Sequence, residues 1–174
     1  MTEPEFFRPV HTERLPELPI EIEADEHERA ALARRFALCK VERLRASVAL
    51  ERADAGIRVA GDVVAAIEQD CAVSGEAFAT EVSERFELLY VPPTPTSQDD
   101  EEYELSADEL DHIVMEGDTI DIGEAVAQTL AMAIDPYARG PAADIARERA
   151  GLENDEDRPA TGPLADALKG LSAN

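Results

Sequence analysis

Apolar and polar residues change period several times along this chain, and each change marks an element. Between Pro4 and Ile22 the apolar positions are interrupted by Pro9, Pro16 and Pro19. Proline has no amide donor, so this stretch predicts short edge strands and no central ones. From Asp25 the spacing is helical: Leu32 and Phe36 share a face at i, i+4, and Asp25 and Glu28 stand at the spacing of a capping box. Arg34, Arg35 and Lys40 come late in this segment, where positive charge suits a helix C-terminus, and Cys39 is expected at its end, in the core. The period then falls to two. Leu44, Ala46, Val48 and Leu50 alternate with Arg43, Arg45, Ser47 and Glu51, as in a half-buried strand. Asp54-Ala55-Gly56 supplies a turn in which Gly56 is free to take positive φ. Ile57, Val59, Val63, Ala65 and Ile67 form the inward row of a second strand, with a bulge expected at Gly61. After a tight Ser74-Gly75 turn, Phe78, Val82, Phe86, Leu88 and Tyr90 alternate as a third strand.

Pro92-Pro93-Thr94-Pro95 ends this antiparallel run by removing amide donors. A mobile acidic loop is expected over about residues 94–118, opened by Asp99, Asp100, Glu101, Glu102 and Glu104, whose charges repel and which have little to bury. Tyr103 and Leu105 are its candidate anchor or short edge strand. A second helix starts at Asp121, where Asp121 and Glu124 repeat the capping-box spacing. Ile122, Val126, Leu130 and Ile134 follow at helical spacing and predict a face turned to the sheet. Asp135-Pro136 stops the helix. A short third helix is predicted from Pro141, as its first residue, towards Ala150. The fold class is therefore α+β, an antiparallel β meander or partly closed barrel with two or three covering helices. Residues 1–150 read as a single domain and residues 151–174 as a flexible tail with one weak amphipathic turn, Leu164, Leu168 and Leu171 on one side.

Charge changes this picture most. The 174 residues hold 39 Asp plus Glu against 16 Lys plus Arg, a formal net charge of -23. No Lys or Arg occurs from Phe86 to Ala138. A field of this sign repels phosphate backbones and attracts basic partners. Part of the acid needs no partner at all, since charge runs often serve as solvated faces. No apolar run approaches the roughly 18 residues that a membrane helix needs. Met1 to Val10 has no apolar signal core, so the cytoplasm is the expected compartment.

Candidate chemistry is sparse. Cys39 and Cys71 are too few for a disulfide scaffold or a four-cysteine zinc site. Cys71-Ala-Val-Ser74 has half of a CxxC spacing, and serine is a poor structural zinc ligand. His11, His27 and His112 stand in no Ser-His-Asp, Cys/His or HExxH arrangement. The acidic block lacks the alternation and glycine of a calcium loop, and no phosphate-binding glycine loop is present. No catalytic residue, metal ligand or cofactor is assigned. Tyr137 and Arg139, just past the proline stop, are explained least by packing and are candidates for presentation to a partner.

Two blocks carry a resemblance. Cys-Ala-Val-Ser-Gly-Glu-Ala-Phe at 71–78 is followed by Ile-Asp-Ile-Gly-Glu-Ala-Val-Ala-Gln-Thr-Leu-Ala-Met-Ala-Ile-Asp-Pro-Tyr-Ala-Arg at 120–139. In this order they resemble the YceD family, the large ribosomal RNA subunit accumulation proteins, in its alphaproteobacterial form. The Gly-Pro-Leu-Ala-Asp-Ala-Leu ending resembles that family's short C-terminal motif. Many members carry a second cysteine where Ser74 stands and further cysteines after the helix, so no metal role carries over. The resemblance implies a role in accumulation of the large-subunit rRNA and no known catalytic activity. The expected partner is a basic ribosomal protein or large-subunit precursor, met through Asp99, Asp100, Glu101, Glu102, Glu104, Asp121, Glu124, Tyr137 and Arg139. The alternative is direct RNA contact, disfavoured by charge, through a patch of Arg34, Arg35, Lys40, Arg43 and Arg45.

Overall fold

The computed structural model describes residues 4–93 and 111–151. In chain order their elements are β1 (Pro9–His11), β2 (Ile20–Glu23), α1 (Glu26–Arg35), β3 (Lys40–Ala53), β4 (Gly56–Asp70), β5 (Ala77–Val91), β6 (Asp111–Val114), β7 (Thr119–Asp121), α2 (Ile122–Ala133) and α3 (Ala143–Arg149). The architecture is α+β. A five-stranded sheet runs in the order β2-β3-β4-β5-β6 and does not close, and β1 and β7 form a separate two-stranded ribbon.

The three long strands follow from the alternation of their residues. Leu44, Ala46, Val48 and Leu50 of β3 point inward, as do Val59, Val63, Ala65 and Ile67 of β4 and Val82, Phe86 and Tyr90 of β5. The β4–β5 ladder runs without a register shift from Ile57 opposite Tyr90 to Asp70 opposite Ala77. No bulge forms at Gly61; the shift lies instead between Val41 and Arg43 of β3. Gly61 stays in the ladder, and a Cβ there would collide with the Ser47 carbonyl and the Phe86 ring. Gly56 does not take positive φ. It is small because the Tyr90 carbonyl presses against it.

The helices close the inner face. α2 lies against β4, β5 and β1, and α1 lies against β3. Ile122, Val126 and Leu130 of α2 and Leu32 of α1 are fully enclosed with Phe6. Each such side chain contributes about 1.5–3 kcal/mol by leaving water. The capping box of α1 forms as its spacing predicts: the Glu28 amide donates to Asp25 Oδ1 at 2.8 Å, and the Asp25 amide donates to Glu28 Oε2 at 2.8 Å. Helix α1 ends at Arg35, and Ala37 turns the chain with φ 54°. Cys39 and Lys40 therefore lie beyond the helix. Lys40 opens β3, and Cys39 is exposed, not in the core. At α3, Pro141 precedes the cap residue Ala142, so it is not the first helical residue.

Two features depart further from the meander. β6 pairs with the end of β5 in parallel, from Leu88 opposite Asp111 to Val91 opposite Val114. This strand and the turn at Gly117 occupy the last part of the span expected to be an acidic loop. Asp99, Asp100, Glu101, Glu102, Tyr103, Glu104 and Leu105 lie outside the described residues, as does the stretch after 151.

The N-terminal segment crosses the start of α2 closely. The Arg8 amide donates to Asp121 Oδ1 at 2.8 Å, and the Phe6 carbonyl sits where a Cβ on Gly123 would stand. Gly123→Ala forces these backbones apart. It is expected to lower the unfolding free energy by about 1–3 kcal/mol, read as a shifted urea midpoint with an unchanged slope.

Candidate partner-binding surface

The turn after β4 and the segment after α2 meet at one corner of the molecule. The Ala72 amide donates to the Ala138 carbonyl at 3.0 Å, and the Phe78 ring packs on Gly140, where a side chain would collide with it. The turn itself closes through the Cys71 amide on the Glu76 carbonyl and the Gly75 amide on the Cys71 carbonyl, each 2.9 Å. Cys71 is buried, and its Sγ accepts the amides of Val73 and Ser74 at 3.4 Å. The Ser74 side chain, its amide and the amides of Val73 and Gly140 hold the thiol down to about 7, because they stabilise the thiolate. Cys39 behaves in the opposite way. Its thiol donates to Asp70 Oδ1 at 3.2 Å, and that carboxylate raises its pKa.

Beside this corner, Tyr137 is 79% exposed. Its amide donates to Asp135 Oδ1 at 2.8 Å, which fixes the turn after α2 and turns the ring outward. Arg139 is exposed as well. Both residues are exposed on the segment after α2.

The cations of the described residues are largely engaged within the chain. Arg8 pairs with Glu28, Arg58 with Glu87 and Arg85 with Asp62. In the patch considered for RNA, Arg35 grips both carboxylate oxygens of Glu124 at 2.7 and 2.8 Å and also reaches Glu5. Lys40 pairs with Glu42, Arg43 with Glu81 and Arg45 with Glu23. The patch does not form one free surface: Arg45 meets its register partner Glu23, Arg43 reaches across β4 to Glu81, and Lys40 pairs with Glu42 on its own strand. Among the described residues Glu17, Glu51, Asp54, Glu84 and Glu116 enter no ion pair. Burial, with Asp121 and Glu124 adding, pushes the Tyr90 phenol up to about 12.

Residues 59–171 match the family described as Large ribosomal RNA subunit accumulation protein YceD. The chain belongs to the YceD family. No curated protein and no solved structure matches it. Both sequence blocks that suggested the YceD family fall inside the matched span, and the structure brings them into contact through Ala72 and Ala138. The arginine patch, at 34–45, falls before it. The family description names an accumulation role for large-subunit rRNA and no reaction. Among the described residues no helix is long and apolar enough to cross a membrane, and no group of three or more His, Cys, Asp or Glu is placed to hold a metal.

Two of the acidic candidates work inside the fold. Asp121 caps α2 by accepting the amides of Gly123 and Glu124, and it also takes the Arg8 amide. Glu124 does not reach back to complete a capping box; its oxygens go to Arg35 and Gln128. No signal in the sequence pairs Arg35 with Glu124, because the contact depends on how α1 and α2 cross the same sheet face.

Arg35, with Gln128 adding, lowers the Glu124 pKa below its usual 4.5. A carboxylate depressed on folding contributes stability that is present above its unfolded pKa and lost as pH falls through the folded one. Glu124→Gln is expected to cost about 1 kcal/mol at neutral pH, with the half-exposed pair screened by solvent. The gap to the parent protein should close as pH falls below 4.5 in acid titrations of stability. Thiolate absorbance should show one cysteine ionising near pH 7, a step that disappears in Cys71→Ser while the Cys39 step stays above 9.0.

Proposed function

We propose that this protein supports accumulation of the large-subunit rRNA as a non-enzymatic cytoplasmic factor, by holding a basic ribosomal protein or a precursor particle that displays one. The observation that carries this reading is the disposition of charge. Lys40, Arg43, Arg45, Arg58 and Arg85 of β3, β4 and β5 are paired with carboxylates and Arg52 donates to the Thr12 and Glu13 carbonyls, while the chain as a whole carries a net charge of -23. Such a surface steers a cationic partner toward it and disfavours RNA phosphates. Membership of the YceD family supplies the ribosomal context. Asp99, Asp100, Glu101, Glu102 and Glu104, together with Tyr137 and Arg139, are its proposed contacts. The alternative, direct RNA binding through Arg34, Arg35, Lys40, Arg43 and Arg45, requires ion pairs to be broken at every one of these residues except Arg34.

Capture with the full chain tests it. A large-subunit ribosomal protein or its precursor particle should be retained at low salt. It should be released near 1 M salt, where the screening length falls from about 10 Å to about 3 Å. Retention of bare rRNA alone, lost on replacing Arg34 and Arg45 by Gln, would move the assignment to the alternative.

A further inference from the structure

β5 is paired from Ala77 to Tyr90 on one side, by β4, but on the other side β6 reaches only Leu88 to Val91. From Ala77 to Glu87 no described strand lies beside that edge. The stretch is roughly 35 Å long at about 3.3 Å per residue. Free edges are ordinarily blunted by proline, bulges, shortness or charged side chains. This one has no proline between Ala77 and Glu87 and no bulge in its ladder to β4, so charge alone, at Glu81, Glu84, Arg85 and Glu87, guards it, and three of these four are acidic.

What borders the edge tells what fits it. Between β5 and α2 a groove of about 370 Å³ is lined by Phe86, Leu88, Thr129, Met132 and Ala133 together with the charged Glu84, Arg85 and Glu87. Met132 is 77% exposed there. On the outer face of β5 the exposed residues are Glu81, Ser83, Arg85 and Glu87, of which Glu81 pairs with Arg43 and Glu87 with Arg58. Arg85 is drawn back toward β4 by Asp62 at 3.0 Å, so its charge is answered inside the sheet. Glu84 has no cationic partner among the described residues.

The geometry points to β5 as a docking edge for an extended cationic peptide, added as a further strand beside Ala77–Glu87. Backbone pairing along the edge supplies affinity, and the side-chain alternation supplies selection. One row of the incoming strand, apolar, enters the groove at Phe86 and Met132, with the unpaired Glu84 at the mouth; the other, Lys or Arg, shares the exposed carboxylates of Glu81 and Glu87 with Arg43 and Arg58. A second copy of this chain is the poorer occupant, since it brings another net charge of -23 to the same contact. This inference rests on the cationic-partner reading above and names the surface that serves it.

The test uses the full chain and two synthetic peptides of equal charge, one alternating Lys and Val, the other a helix-forming Lys/Ala sequence. The Lys-Val peptide should bind at least tenfold more tightly and slow amide exchange in Ala77–Glu87 at least tenfold, and Glu84→Lys should weaken it severalfold. Binding of both peptides alike, or protection elsewhere than β5, overturns the edge while leaving a cationic partner in place. Binding of neither peptide overturns the edge too, and then the capture experiment alone decides whether a cationic partner exists. A chain that sediments as a dimer with β5 already protected gives the edge to a second copy and overturns the peptide assignment.

Discussion

Helix α2 sets its apolar face, Ile122, Val126 and Leu130, onto the strands that carry Val59, Val63, Val82 and Phe86. Because those side chains have no water, the helix has one position on the sheet, and its neighbours inherit theirs from it. Asp121 at its start gathers the Arg8 amide and brings the N-terminal segment across. Glu124, one turn in, takes the Arg35 guanidinium and fixes the far end of α1. At its other end, Asp135 turns the chain so that Ala138 reaches the Cys71 turn. One apolar contact thus carries three polar attachments, each satisfied only while the helix is seated.

Local order was readable where one element determines it. The alternation of Leu44 to Leu50 and of Phe78 to Tyr90, the Asp25 cap and the Asp135-Pro136 stop needed no tertiary information, and the structure reproduces them. Reading failed where distant chain decides. Gly61 suggests a bulge on its own strand, but it stays in the ladder, where a Cβ would collide with the Ser47 carbonyl and the Phe86 ring of the neighbouring strands. Cys39 looked like the buried end of a helix until the left-handed Ala37 released the chain two residues earlier. β6 carries a weak pattern and pairs in parallel, a choice that follows from where β5 leaves an edge to fill.

The same division governs the candidate site. The two sequence blocks that mark the YceD family were visible as strings, and the match over residues 59–171 confirms the membership. Their contact was not visible, since Ala72 and Ala138 meet only after three strands and a helix have been laid down between them. The arginine cluster shows the converse. Adjacent in sequence, Lys40, Arg43 and Arg45 read as one cationic surface, yet each is answered by a carboxylate nearby.

The boundary at residue 59 bears on how the protein can be divided. It falls inside β4, whose inward side chains pack beside those of β3 and whose backbone bonds to β3 along nearly its full length. A fragment trimmed to the family match would begin part-way through that strand, shed its neighbour and lose Phe6, Leu32 and Leu44 from the interior. What remained would present bare backbone on both flanks of the β4–β5 hairpin and a helix with half its seat missing. The segment ahead of the match is thus one wall of the same enclosure, whatever its own sequence has kept in common with relatives.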